Sequence, residues 1–426
     1  MSGKFTQAVI KVASRCNLNC SYCYVYNRGD TTYLKQPKFM PKPVINKTIE
    51  RIYNHVMKHK LDRFHFIFHG GEPLLAKPDF FENFVQEVYY KFRKTKVKTF
   101  FSVQTNGLLI NDEWCDLFAR HGFNVGISLD GNKEANDEFR VDHQGKGSYD
   151  RVLKGVDFLK RHKKVRDQWG IISVMNPNMD AIEVYNHYKS IGTRAINFLF
   201  PDCTHDDKYA VIPPDSDVFA TWLIKMFDRW FYESPKERPD IQMFSSLISV
   251  ILGGGSWVEH FGKGNSEIVV IESNGSIEAE DSLRGCGNGF TKAGANVMFD
   301  ELDDAFDTKL AYLYHNGSMM NCTQCMACPL NEICSGGFLL HRYDSKTGFN
   351  NPSVYCDTLM KLITHIQKIV LDNLPKSLLE EAGVSYITYE ETKEILAEEL
   401  PKIKPPEHIS FLESFKSSEY LVKDAV

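Results

Sequence analysis

Cys16, Cys20 and Cys23 stand in one short run, Ser-Arg-Cys-Asn-Leu-Asn-Cys-Ser-Tyr-Cys-Tyr, with C-x3-C-x2-C spacing. Three thiolates on one loop, with no fourth nearby, suit a [4Fe–4S] cluster that keeps one iron open to a small molecule. A structural zinc site takes four closed ligands, commonly in paired C-x2-C spacing, which this run lacks. Three ordinary buried cysteines are the bland alternative. Against it, the surrounding Asn and Ser read as a loop, and the triplet directly follows the apolar run Gln7–Ala13. A second group lies far along the chain: Cys322-x2-Cys325-x2-Cys328-x5-Cys334, then Cys356. Two C-x2-C pairs sharing Cys325 signal a metal, with zinc and an iron–sulfur cluster both open.

Other chemistry-bearing residues recur after strand-like runs. Gly70-Gly71-Glu72-Pro73 offers paired glycines that let backbone and ligand approach closely, and a carboxylate that can receive an ammonium. Gln104-Thr105-Asn106-Gly107 and Ser128-Leu129-Asp130-Gly131 follow the next two runs, and Arg140 offers a bidentate guanidinium for a carboxylate. Taken singly, each is an ordinary turn or a solvated charge. Their occurrence in order, each at a strand end, makes one site of them. Asp281 lies just past a hairpin signal, Ile268–Ile271 followed by Asn274-Gly275. It is either a turn Asp or a positioned proton acceptor.

These residues need a scaffold. Strand-like runs at 8–13, 64–68, 100–103, 124–129, 170–175 and 195–200 alternate with amphipathic stretches near 43–60, 79–95, 112–121, 148–163 and 180–190. That alternation predicts an α/β fold of βα units with a parallel sheet. Periodicity alone leaves a barrel and an open Rossmann-type sheet equally allowed. In a parallel barrel, ligand-binding residues gather at the C-terminal strand ends, where these motifs fall. Composition suggests four segments: a core over 1–205, a helical bridge over 206–265, a cysteine-rich domain over 266–374 and a charged helical tail over 375–426.

A chain of 426 residues can bury more than one core. Its net charge of −5 gives no electrostatic case for nucleic acid. The opening Met-Ser-Gly-Lys-Phe-Thr-Gln has no apolar signal region, and no 18-residue apolar stretch follows, so a cytoplasmic protein without membrane contact is expected. Clustered cysteines in a reducing compartment point to metal rather than disulfides.

The C-x3-C-x2-C run, with the aromatic Tyr22 before its third Cys, resembles the signature of the radical S-adenosylmethionine (radical SAM) enzymes. The resemblance implies a partial (β/α)6 barrel and a [4Fe–4S] cluster on Cys16, Cys20 and Cys23. It also implies a 5′-deoxyadenosyl radical that removes a hydrogen atom from substrate. It places S-adenosylmethionine against Tyr22, Gly70, Gly71, Glu72, Gln104, Asn106, Ser128 and Arg140. The later cysteines resemble the SPASM domain, implying an auxiliary [4Fe–4S] cluster on Cys325, Cys328, Cys334 and Cys356. Two departures stand out: Glu280 and Phe338 occupy places where a full SPASM domain has ligands of a second auxiliary cluster. Cys286 and Cys322, with a carboxylate, could hold only an incomplete one. Asp281 matches a proposed general base of peptide-oxidising relatives.

The stretches Ile-Cys-Ser-Gly-Gly-Phe-Leu-Leu-His-Arg-Tyr and Gly-Phe-Asn-Asn-Pro-Ser-Val-Tyr-Cys resemble the XYE/FXS branch of radical SAM/SPASM peptide maturases. That branch includes cyclophane-forming enzymes and darobactin synthase. It implies a ribosomal precursor peptide as substrate, cross-links at aromatic residues such as Trp, and a flavodoxin- or ferredoxin-type electron donor. An anaerobic sulfatase-maturing (formylglycine-forming) enzyme is the alternative, and a non-catalytic metal scaffold is a third. No N-terminal winged-helix leader-binding domain is expected, because the barrel pattern starts almost at Met1.

Overall fold

The computed structural model describes residues 4–206, 210–383 and 385–421. Its strands are β1 (Gln7–Ala13), β2 (Arg63–Gly70), β3 (Lys98–Thr105), β4 (Asn124–Ser128), β5 (Trp169–Val174), β6 (Ala195–Leu199), β7 (Asp240–Ile241), β8 (Ile268–Ile271) and β9 (Ile277–Glu278). The helices α1 (Lys42–Lys58), α2 (Pro78–Phe92), α3 (Asp112–His121), α4 (Lys133–Phe139), α5 (Tyr149–Arg161), α6 (Ala181–Ile191), α7 (Ser216–Phe231) and α8 (Gln242–Ile251) lie between them. The chain is α/β with a parallel sheet, as its alternating pattern predicts. No helix among the described residues is long and apolar enough to cross a membrane.

Contacts divide the chain into two compact units. The first holds residues 1–174, 193–195 and 266–315; the second holds 175–192, 196–265 and 316–426. In the first unit β1 to β5 run parallel in sequence order, and β8 joins β1 in parallel on its other side. β9 then closes an antiparallel hairpin on β8. The hairpin signal at Asn274-Gly275 is therefore correct, and its product extends the parallel sheet. Alternation along β2 sends Phe64, Phe66 and Phe68, all fully buried, to one face. There Phe66 and Phe68 pack edge-on against Phe84 of α2. Each such side chain contributes about 1.5–3 kcal/mol by leaving water. The opposite face of β2 carries His65, Ile67 and His69, and His69 sits in register with Lys11 of β1. Asn111 caps α3 by accepting from the Trp114 N–H, and the helix ends at Gly122 in the left-handed region.

In the second unit α7 packs against α6 and against the Cys356–Asp372 helix, which also contacts α8. Asp215 caps α7 by accepting from the Asp217 and Val218 N–H groups. The tail reaches buried positions. Phe349 N–H donates to the Leu412 carbonyl at 3.1 Å, and Phe415 stacks edge-on against Phe349 at 5.4 Å.

Candidate active site

The cysteine triplet follows β1 directly, at the C-terminal end of the sheet, and is fastened from two sides. Asn19 and Ser21 N–H groups donate to the carbonyls of Val141 and Phe139, at 2.8 and 3.1 Å. On the other side Gly71 and Glu72 N–H groups donate to the carbonyls of Ala13 and Arg15, at 2.8 and 2.9 Å. A Cβ at Gly70 would stand 2.2 Å from the Ala13 carbonyl oxygen, and one at Gly71 2.5 Å from that of Arg15. The sequence suggests these glycines make room for a ligand; here the room is taken by the backbone that leads into the cysteine loop.

Glu72 is fully buried and ties β2 to β3. Its carboxylate accepts from Leu74 N–H at 2.9 Å, the Thr105 hydroxyl at 2.7 Å and Asn106 N–H at 2.8 Å. Burial pushes its carboxyl upward against those bonds. A carboxylate offers about four acceptor positions, so one remains for an ammonium. The Asn106 amide donates to Asn17 at 2.7 Å and approaches the Cys16 sulfur at 3.8 Å. Gln104 donates to the Ser128 hydroxyl at 2.8 Å. Arg140 is buried, donates to the Tyr22 hydroxyl at 2.6 Å and lies 3.7 Å from the Asp130 carboxylate. Tyr22 in turn donates to Asp130. Asp130, which alone in the sequence reads as a turn residue, is the counter-charge of this trio, and Val174 N–H donates to it at 2.9 Å.

The donor set around the triplet fits an iron cluster. Burial, helped by Glu72, pushes the Cys16 thiol up to about 12, and burial beside Cys20 pushes Cys23 up to about 11. Burial also raises Cys20, with the Arg140 guanidinium opposing it. Three thiols held protonated by burial become thiolates readily only when cations bind them. None of the three is in a disulfide.

Asp281 is placed in the first unit, immediately after β9, and it is paired. Buried Lys11 makes an ion pair with it, and the Tyr24 hydroxyl donates to the same oxygen at 2.6 Å. The Lys11 ammonium also reaches the Tyr24 hydroxyl at 3.1 Å and His69 Nδ1 at 3.0 Å, so its three donors are all used. Burial lowers Lys11 to about 8, with Glu272 pulling the other way. Burial, then Lys11, keeps His69 well below its ordinary value. Lys11, Tyr24 and His69 were missed by motif reading; the available signal was a lysine inside an apolar strand run. Beside them Arg284, 2% exposed, joins Asp30, Glu272 and Glu278 at 2.9, 2.5 and 3.1 Å. That network fastens the chain beyond Cys23 to the β8–β9 hairpin.

Glu280 does not face a cluster partner: its carboxylate accepts from Ser282 N–H at 2.9 Å and Leu283 N–H at 3.3 Å. Cys286 falls in the first unit and Cys322 in the second.

In the second unit Cys325, Cys328, Cys334 and Cys356 line one cavity together with Met360 and Ile363. Burial raises Cys328 and, helped by Cys328, brings Cys334 to about 11. Cys322 hydrogen-bonds Cys325 and is thereby lowered to about 7. The four sulfurs fit a cluster with Cys322 beside it. Arg342, also unforeseen from the sequence, is buried and donates to the carbonyls of Ser335, Gly336 and Gly337, at 3.2, 3.1 and 3.1 Å, and of Gly317 at 2.9 Å. It thus shapes the turn after Cys334. Asn351 donates to the carbonyls of Arg342 and Gly348 at 3.0 and 3.2 Å. The Gly-Phe-Asn-Asn-Pro-Ser stretch therefore braces the approach to Cys356. Phe338 stacks on His260 at 5.2 Å, so packing fills that position.

The chain is similar to several known proteins. Residues 10–189 match the model of the radical SAM superfamily. The chain is 28% identical over 366 residues to a cysteine-type anaerobic sulfatase-maturating enzyme of Clostridium novyi (strain NT), covering 83% of this chain and 93% of the relative. It is 26% identical over 401 residues to a serine-type enzyme of Bacteroides thetaiotaomicron, covering 88% and 92%. Solved structures of anSMEcpe with bound AdoMet, without and with the Kp18Cys peptide, superpose with TM-scores of 0.74 and 0.73. Each is 24% identical and covers 86% of this chain and 98% of its own. Over residues 10–189 the chain is thus similar to the radical SAM superfamily.

Proposed function

We propose that the protein is a peptide maturase that oxidises a side chain of a bound peptide, with Asp281 receiving the substrate's proton. The observation that carries this reading is the buried Lys11–Tyr24–Asp281 cluster, which shares a unit and a sheet end with the cysteine triplet. The relatives' names and the peptide held by anSMEcpe support it. The cluster on Cys16, Cys20 and Cys23, with S-adenosylmethionine, supplies hydrogen-atom abstraction. Glu72's remaining acceptor position takes the methionine ammonium, and Arg140 takes the carboxylate. Tyr22, Gln104, Asn106 and Ser128 line the rest of the cofactor, while Gly70 and Gly71 seat the loop. A neutral substrate radical loses its electron more readily once a base has taken its proton. Asp281, held as a carboxylate by Lys11, is that base. Cys325, Cys328, Cys334 and Cys356 would hold an auxiliary cluster, which would supply a sink for the extra electron. A flavodoxin- or ferredoxin-type protein is the donor.

Cross-linking at an aromatic residue such as Trp is the finer reading, in the manner of the XYE/FXS branch. It is favoured by Glu280 and Phe338, both spent on internal contacts where a second auxiliary cluster would need cysteines. Sulfatase maturation is the second reading, favoured by relatives matched over nine-tenths of their length. Anaerobic turnover with an aromatic-rich precursor peptide and with a sulfatase-derived Cys peptide separates them by mass. Loss of two hydrogens with every side chain retained means a cross-link. Loss of sulfur means formylglycine. Formation of 5′-deoxyadenosine that neither peptide stimulates would overturn both.

A further inference from the structure

Away from the cysteines, two histidines one turn apart on α1 and a carboxylate from the 3-10 turn Leu302–Asp307 converge. We infer that His55, His59 and Asp303 form a Zn²⁺ site that staples this turn to α1. One donor atom from each of the three lies within 4.8 Å of the others. Asp303 Oδ1 is 2.5 Å from His55 Nδ1 and 3.1 Å from His59 Nε2. A tetrahedral ion with ligands at about 2.0–2.2 Å sets donor atoms about 3.3 Å apart, so the carboxylate need only draw back by under about an ångström. Histidines at i and i+4 share one helix face, which is the spacing by which helices present paired imidazoles to zinc.

The surroundings supply what such a site needs. His55 Nε2 lies 3.1 Å from the Phe5 carbonyl oxygen and 3.0 Å from the Phe5 N–H. The Phe5 N–H donates to Nε2, which puts the imidazole proton on Nδ1 towards Asp303; an ion that takes that proton's place at Nδ1 moves the proton to Nε2, where the Phe5 carbonyl accepts it. A backbone acceptor on the far nitrogen is the usual support of a metal-bound histidine. The side chain of His55 is 1% exposed, and burial lowers its affinity for a proton, leaving it a neutral ligand. Neighbouring carboxylates are committed elsewhere. Asp304 accepts from Glu301 N–H at 2.8 Å, and Glu301 pairs with Arg51. Phe5 stacks on Phe306 at 4.0 Å, which keeps Asp303 over α1. Among the described residues the competitor is Lys58, which pairs with Asp303 from a side chain 66% exposed and so can leave freely. Three protein ligands leave a fourth position for water.

The test uses protein already loaded with its iron–sulfur clusters, so that its cluster-ligating cysteines are occupied. Zn²⁺ is titrated in competition with a chromophoric chelator. Wild type should take up one Zn²⁺ per chain, and His59→Ala should weaken that uptake by at least about 100-fold, more than loss of an outer partner costs. Lys58→Ala should bind Zn²⁺ more tightly than wild type, because it removes the competing cation without touching a ligand. Thermal unfolding should shift upward with Zn²⁺ in wild type and Lys58→Ala and stay put in Asp303→Asn. Equal Zn²⁺ affinity in wild type and His59→Ala, or none in wild type and Lys58→Ala, overturns the site.

Discussion

Replacing Lys11 by Met keeps most of the side chain's volume and removes the only ammonium that touches Asp281 in the described structure. A buried ion pair that loses one partner costs about 3–5 kcal/mol, because the remaining charge stays in a poor solvent. Lys11→Met should therefore lower the unfolding midpoint of the cluster-loaded protein, and Lys11→Met/Asp281→Asn should recover part of that loss. In turnover the variant should still cleave S-adenosylmethionine but form little modified peptide. A general base contributes about 10²–10⁴-fold, and Asp281→Asn should lose product on that scale with 5′-deoxyadenosine still made. The pH dependence separates function from stability. Burial lowers Lys11 from 10.5 to about 8, so the ammonium that orients Asp281 is lost, and product yield in wild type should change, as pH rises through about 8. The stability effect has the opposite sign. Between about 8 and 10.5 the unfolded chain holds this proton and the folded chain does not, so the group makes unfolding harder as pH rises. The gap between those values corresponds to an order of about 3 kcal/mol. The assay is mass spectrometry of peptide and nucleoside from one reaction, with unfolding followed in parallel. A yield that stays flat from pH 7 to 9.5, or a Lys11→Met variant with normal yield, refutes the reasoning.

Two further outcomes follow from the site. Four irons per cluster give about eight irons per reconstituted chain; Cys356→Ala should hold about four fewer, whereas Cys322→Ala should keep them all, and a loss of iron in Cys322→Ala would make that residue a ligand. Arg140→Ala should weaken S-adenosylmethionine binding and also lower stability, because it strips Tyr22 and buried Asp130 of their cation; calorimetric titration that finds unchanged affinity would return Arg140 to a purely structural role.

The sequence by itself determined the kind of chemistry. Ligand types and spacing are local properties, so Cys16, Cys20 and Cys23 are legible as a three-thiolate loop before any fold is known. The strand-and-helix rhythm is local too. The runs at 64–68 and 124–129 became β2 and β4, and 112–121 became α3, because alternation and helical periodicity follow from backbone geometry. Tertiary structure alone decided which residues the motifs are for. Gly70 and Gly71 are held to glycine by Ala13 and Arg15, which fill the space a Cβ would need. Lys11, His69, Tyr24 and Asp281 are separated by up to 270 positions, and no spacing rule links them. They meet because β1 pairs with β2 on one side and β8 on the other. In the sequence Arg342 and the Gly-Phe-Asn-Asn-Pro-Ser stretch enter only as parts of the runs that resemble the XYE/FXS branch. In the fold their donors close the turns around Cys334 and Cys356. Buried polar groups must find partners, and only three-dimensional packing says which partners those are.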